Sequence, residues 1–420
     1  MLWASRQAAA TAVIPAKVAA LTQGVLKSML LTKLKIATAV PLVVVGVLVA
    51  GLGALALPAR AQKPAADKQD KETEKSPAEK QDAVKVVQFG AQRVGSLAYC
   101  NDGKTKALVL GNGGDYRSGG SVVLWNVQTE RVQHTLEKSG NVAARMFCNV
   151  TASKDGTTIA VASAQFREKW HGAIKVWDAG TGKLVKTFEL DGLARAVALS
   201  ADGAKVIGGA ITAPRANGTL FVWDVKSGEV LQTLEAEGLH YYAAAITDDG
   251  KWIAGAGDVG DPTYKGKVVV WEVETGKVKH EWVGLPQIST VTFSPDGKQV
   301  VAAGPVGAAV GPGAAAGPDN NVIRVWDMQT GNLKHQLKPE GGHVITGLVF
   351  SPDGETLAAA TAGLDANISL WDLANEKRRV TLKGHGGVAF SPDGRTLATS
   401  GDDGTMRFWP VTPAKSTKTR

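Results

Sequence analysis

Seven histidines (His134, His171, His240, His280, His335, His343 and His385) and two cysteines (Cys100 and Cys148) are the residues of this chain best suited to metal or nucleophilic chemistry. No two histidines stand three or four residues apart, so the close spacing of a zinc site never occurs. The strings HExxH, CxxC, GxSxG and GxxxxGK[ST] are absent. The stretch GPVGAAVGPGAAAGP (304–318) lacks the lysine and the strand–GxGxxG–helix setting of a phosphate cradle, and reads as an insertion. No enzyme activity, metal or cofactor is expected. The remaining chemistry is that of binding, for which Tyr, Trp and Arg are the most effective side chains. Four glycine-bearing stretches concentrate them. GNGGDYRSGG (111–120) carries Tyr116 and Arg117, and QFREKWHG (165–172) carries Arg167, Trp170 and His171. TAPRANG (212–218) carries Arg215, and GDVGDPTYKG (257–266) carries Tyr264 and Lys265.

The elements that must position these stretches recur along the chain. One landmark is a turn of the form Ser-x-Asp-Gly, written SPDG at 294–297, 351–354 and 391–394. Looser copies occupy 100–103, 153–156, 200–203 and 247–250. Serine and aspartate bond the local backbone, proline presets φ, and glycine follows. The second landmark is a short β-branched run ending in tryptophan, at Trp125, Trp177, Trp223, Trp271, Trp326, Trp371 and Trp409. Four of the seven are followed by aspartate (Asp178, Asp224, Asp327 and Asp372). Successive tryptophans stand 52, 46, 48, 55, 45 and 38 residues apart. Strand-like segments such as 289–293, 299–303 and 333–337 lie between the landmarks. Four short strands per unit describe a propeller blade.

These offsets resemble the WD-repeat family, whose pattern couples Gly-His, SPDG and Trp-Asp. The resemblance covers about 84–412 and implies an all-β, seven-bladed β-propeller. It implies that the four aromatic-basic stretches share one rim, a partner-binding face. It also implies that the last blade, with strands near 388–390, 396–400 and 406–411, takes its fourth strand from the N-terminal segment 84–89. The family's His–Ser/Thr–Asp–Trp network is matched by His343, Thr361, Asp365 and Trp371. It is matched again by His385, Thr399 or Ser400, Asp403 and Trp409. These residues and the motif tryptophans are read as structural. Cys100 and Cys148 fall in neighbouring blades at different offsets, which sets them too far apart for a bridge.

The N-terminal part obeys other rules. Residues 36–57 (IATAVPLVVVGVLVAGLGALAL) carry no charge. A helix rising about 1.5 Å per residue would there match a bilayer core of about 30 Å. Lys27, Lys33 and Lys35 precede it, which puts residues 1–35 in the cytoplasm and the large domain outside. Ala59-Arg60-Ala61 also fits a signal-peptidase site, so a retained anchor and a cleaved leader both stand. Either places the propeller outside the cytoplasm. Residues 12–40 resemble the membrane-anchor region of bacterial extracytoplasmic-function sigma factors fused to WD repeats. Residues 58–83 are charged and nearly devoid of apolar bulk, and read as a disordered tether.

The net charge is +8, yet residues 1–60 hold six basic and no acidic residues, and Lys415, Lys418 and Arg420 end a basic tail (413–420). Residues 84–414 are near neutral, so the domain lacks the basic footprint of a nucleic-acid binder. The reading is a membrane-tethered, monomeric propeller that serves as a non-catalytic scaffold for an unidentified protein partner. A cofactor- or small-molecule-binding propeller and an external sensor domain are the alternatives.

Overall fold

The computed structural model describes residues 79–412, except 82, 84, 89–93, 102–105, 113–119, 139–144, 167, 212–217, 260–264, 286–287, 305–321, 340–343, 363–365, 385 and 402. The expected basic segment, membrane helix, most of the tether and the C-terminal tail lie outside the described residues. No helix among those residues is long and apolar enough to cross a membrane.

Seven antiparallel sheets follow one another along the chain, at 96–138, 145–191, 193–236, 239–285, 290–337, 344–383 and 388–410. Within each, the strands pair in chain order. The segments expected at 333–337, 388–390 and 396–400 are strands with those bounds. The first strand of each sheet packs against the first strand of the next, and Val388–Phe390 packs against Ser96–Asn101. The seven sheets therefore close a ring with their first strands innermost. We call the rim carrying the Ser-x-Asp-Gly turns the lower rim. The upper rim carries the sheet-to-sheet connections and the loops between second and third strands.

Seven apolar clusters fill the seven seams, and each contains one motif tryptophan. All seven rings are buried, from 1% exposed at Trp271 to 7% at Trp371. Burying a ring of this size against the preceding sheet is the main apolar gain at each seam. Opposite the ring, the outer strand supplies Val132, Leu184, Val230, Val278 or Leu333 in sheets one to five, and Arg378 in sheet six.

The Ser-x-Asp-Gly turns use their side chains as the residue types suggest. The Ser294 hydroxyl donates to Asp296 at 2.6 Å and accepts the Gln299 amide at 2.9 Å. The same pair of bonds recurs at Ser153, Ser200, Thr247, Ser351 and Ser391.

A second set of polar contacts ties each sheet to the next around the lower outer edge. His134 Nε2 meets Gly180 O at 3.1 Å, Lys186 Nζ meets Ser227 O at 3.2 Å, and Gln232 Nε2 meets Glu274 O at 3.0 Å. His280 Nε2 meets Met328 O at 2.9 Å, His335 Nδ1 meets Glu376 Oε1 at 2.8 Å, and Arg379 Nη2 meets Thr412 O at 2.7 Å. Lys85 closes the circle through Glu130 Oε1 at 2.5 Å. Three histidines without any sequence spacing thus perform one structural task. Apart from Arg379, each donor lies over the turn that follows a motif tryptophan. A Cβ on Gly331, at φ +75°, would stand 2.7 Å from the His280 ring. Glu130 and Glu376 hold the equivalent left-handed position, at φ 55° and 52°, where their carboxylates take the strap.

The N-terminal segment behaves partly as expected. Lys85–Gln88 pairs antiparallel with Thr405–Pro410 as the fourth strand of sheet seven. The tether reading of 58–83 is corrected at its end. Glu79–Gln81 is a strand, paired parallel with Val380–Leu382 as a fifth strand of sheet six. Composition argued against a core there, but an edge strand needs only a partner backbone, and sheet six offers one.

Candidate functional site

The innermost strands carry the candidate site at their upper ends. In four of them the pairing skips one residue: Cys148, Arg195, Tyr242 and Thr346. Such a bulge adds an unpaired residue, and at Arg195, Tyr242 and Thr346 it turns the side chain out of the ladder. Each of the four stands five residues before the first residue of its Ser-x-Asp-Gly turn. Arg195 and Tyr242 are neighbours, with the guanidinium 5.6 Å from the centre of the tyrosine ring. The backbone under Arg195 is held by Asn149, whose Nδ2 donates to Arg195 O at 2.7 Å.

Behind Tyr242 lies a buried polar group. The Tyr242 hydroxyl donates to Asp258 Oδ2 at 2.7 Å, and His240 Nδ1 stands 3.6 Å from Asp258 Oδ1. Asp258 is 1% and His240 7% exposed. A carboxylate this deep is stable only with partners. Tyr242 is therefore fixed from below by Asp258 and faced from above by Arg195. Tyr241, one residue earlier, points into the seam between sheets three and four, where burial pushes its phenol far up.

Of the residues expected on the rim, Trp170, His171 and Lys265 are described. Trp170 packs edge-on against Phe166 across its own hairpin, with ring centres 5.3 Å apart. Its carbonyl accepts the Gly192 amide at 3.2 Å. This bond joins the hairpin to the connection that leads into the strand bearing Arg195. His171 is exposed beside a cleft of about 540 Å³, where Lys175 is already neutralised by Glu137 at 2.6 Å. Lys265 is exposed, and its carbonyl accepts the Val259 amide at 2.9 Å, above Asp258. Trp170, His171, Arg195, Tyr242 and Lys265 thus share the upper rim of sheets two, three and four. Tyr116, Arg117, Arg167, Arg215 and Tyr264 lie outside the described residues.

The His–Thr–Asp–Trp network takes a different form from the one the resemblance implied. In sheet seven Trp409 Nε1 does donate to Thr399 Oγ1 at 3.0 Å. Asp403, however, accepts from Thr405 and pairs with Arg407 at 2.6 Å. Burial pulls Asp403 upward, but the Thr405 and Arg407 contacts outweigh it and hold the carboxyl at about 2. In sheet six the Thr361 hydroxyl bonds both N and O of Asn367, and the buried Trp371 Nε1 has no hydrogen-bond partner among the described residues. His343, Asp365 and His385 lie outside the described residues. Cys100 is buried, with its thiol on Gly156 O at 2.9 Å, and the Cys148 side chain lies outside the described residues.

Sequence reasoning missed Arg195, Tyr242, His240 and Asp258. A signal was available: Arg195 and Tyr242 share one offset from the turn motif, five residues before its first residue. No group of three or more His, Cys, Asp or Glu among the described residues is placed to hold a metal ion. The arrangement is suited to recognition, with a stacked cation and aromatic at its centre.

Comparison with known proteins agrees with this architecture. Residues 331–372 and 376–410 match the family described as WD domain, G-beta repeat, and the chain carries WD repeats. It is 33% identical over 110 residues to the Cross-pathway control WD-repeat protein 2 of Flammulina velutipes, covering 26% of this chain and 29% of that protein. It is 33% identical over 118 residues to the Nuclear distribution protein PAC1 of Gibberella zeae, covering 25% of each. The chain thus spans between a quarter and a third of the length of these fungal relatives. A chain in the crystal structure of the Mitotic Checkpoint Complex shares its fold, with a TM-score of 0.62 at 19% identity, covering 86% of this chain and 99% of that one.

Proposed function

We propose that the chain is a non-catalytic protein-interaction scaffold, built as a seven-bladed β-propeller. It is held at a membrane by residues 36–57, with the propeller on the extracytoplasmic side. The observation that carries the scaffold reading is the upper rim of sheets two to four, where Arg195 stacks on a Tyr242 anchored by Asp258. Trp, Tyr and Arg dominate the energy of protein interfaces, and here two of the three are pre-positioned. The 22 uncharged residues at 36–57 and the three lysines before them support the membrane placement.

The test is a crosslinked capture from native membranes. It compares the wild type with Arg195→Ala/Tyr242→Ala and with Arg167→Ala/Trp170→Ala. A protein partner lost with both variants supports the scaffold and its rim. A partner retained by both overturns the rim assignment, and recovery of the chain in the soluble fraction overturns the tether.

A further inference from the structure

The outer strand of sheet six differs from those of its neighbours in its charge, in one of the positions that carries that charge, and in what is seated on it. Lys377–Lys383 reads KRRVTLK, with four cations and no acid. The outer strands of sheets one to five hold at most two cations each. Opposite its motif tryptophan it has Arg378, where sheets one to five have an exposed aliphatic residue. It is also the outer strand on which a further strand is seated, Glu79–Gln81, in parallel register through Glu79↔Val380 and Gln81↔Leu382. In sheets one to five the aliphatic residue is the cross-strand partner of the tryptophan, the same place in each sheet.

An open strand edge presents unpaired amides and carbonyls that another extended chain can complete, and the side chains of the edge then select which chain. Arg379 is committed to Thr356 Oγ1 and Thr412 O. Lys377 and Lys383 are exposed at the two ends of the strand. The segment seated there is short and carries Glu79 at its start. Three residues in parallel pairing make a weak seal, because the bonds are few and slanted.

We propose that the outer edge of sheet six is a strand-addition site for an acidic, extended segment of a partner protein, which Glu79–Gln81 occupies in cis until it is displaced. The selecting groups are Lys377 and Lys383, and the backbone of Val380–Leu382 supplies the pairing. This edge is separate from the upper rim, so either surface can fail its test without the other.

The test uses the full chain and fluorescence anisotropy. The probe is a fluorescein-labelled peptide of alternating Glu and Val, matched in length to the strand. Lys80→Pro removes a donor from the seated strand and fixes its φ, which frees the edge. That variant is expected to bind the probe about tenfold more tightly than the wild type, as when a site is occupied in cis about nine-tenths of the time. Adding Lys377→Glu and Lys383→Glu to it is expected to abolish binding, as is replacing each Val of the probe by Pro. Equal binding of both probes means charge alone and overturns the proposal. So does a Lys80→Pro variant no tighter than the wild type, or a charge-reversed edge that still binds. Hydrogen exchange on the wild type gives a readout free of any folding defect. Saturating probe should deprotect the amides of Glu79–Gln81 and leave those of Lys377–Lys383 protected. Unchanged exchange at Glu79–Gln81 overturns the proposal.

Discussion

Trp371 and Trp409 occupy the same place in neighbouring sheets, yet Trp→Phe should separate them. Both rings are buried, at 7% and 2% exposure, and the volume lost is the same, so the cavity contribution largely cancels in a comparison. The polar contributions have opposite sign. Trp409→Phe strips the donor from the fully buried Thr399 hydroxyl, which now receives Nε1 at 3.0 Å. Leaving such a group unpaired costs about 1–3 kcal/mol. Trp371 Nε1 is already buried with no hydrogen-bond partner among the described residues, so Trp371→Phe removes a penalty of the same kind. Trp409→Phe should therefore be the more destabilising variant by roughly 2–6 kcal/mol. Urea unfolding followed by tryptophan fluorescence gives the midpoints. Hydrogen exchange at Ile368–Leu370 and Met406–Phe408 reports each sheet separately, which matters because repeat arrays can unfold in parts. If Trp371→Phe costs as much as Trp409→Phe, the distinction drawn between the two networks is wrong.

Further predictions follow from the same geometry. Gly331→Ala forces a Cβ into the left-handed region and against His280, and should cost about 2–3 kcal/mol from backbone strain and the lost strap. An unchanged melting temperature would contradict this. Lys175→Met removes the cation that the largely buried Glu137 meets at 2.6 Å and should cost about 3 kcal/mol, whereas Lys175→Met with Glu137→Leu should recover most of it. A double-mutant cycle in urea measures the difference. Asp403 sits below the usual carboxylate value, so its contribution is complete above the unfolded value of 3.8 and is lost as pH falls toward about 2. Asp178 and Asp327 are likewise lowered, by Thr181 and Thr330, and add to the same acid limb. Unfolding midpoints should therefore drop between those pH values. In Arg407→Met the Asp403 resonance, followed by NMR, should titrate at higher pH.

Much of the architecture was legible because it is written in local chemistry that repeats. The Ser-x-Asp-Gly turn satisfies itself within six residues, so each copy announces a lower-rim corner whatever surrounds it. A β-branched run ending in tryptophan alternates with it seven times, and the seven sheets follow those landmarks. The spare segment 84–89 and the missing last strand of sheet seven pointed to the pairing of Lys85–Gln88 with Thr405–Pro410 for the same reason: an edge without a partner and a strand without a sheet.

What remained hidden depends on atoms brought together from different repeats. His134, His280 and His335 have no common spacing, and their shared role exists only once each outer strand lies over the next sheet's turn. Thr361 and Thr399 look equivalent in sequence, but one bonds a backbone and the other an indole, a choice made by local packing. Arg195 and Tyr242 stand 47 positions apart and meet because two bulges turn them toward each other at the upper rim. Glu79–Gln81 has no β-forming residue. It becomes a strand only because a neighbouring sheet leaves an edge of free amides within its reach, and side-chain composition carries no record of another strand's unpaired backbone.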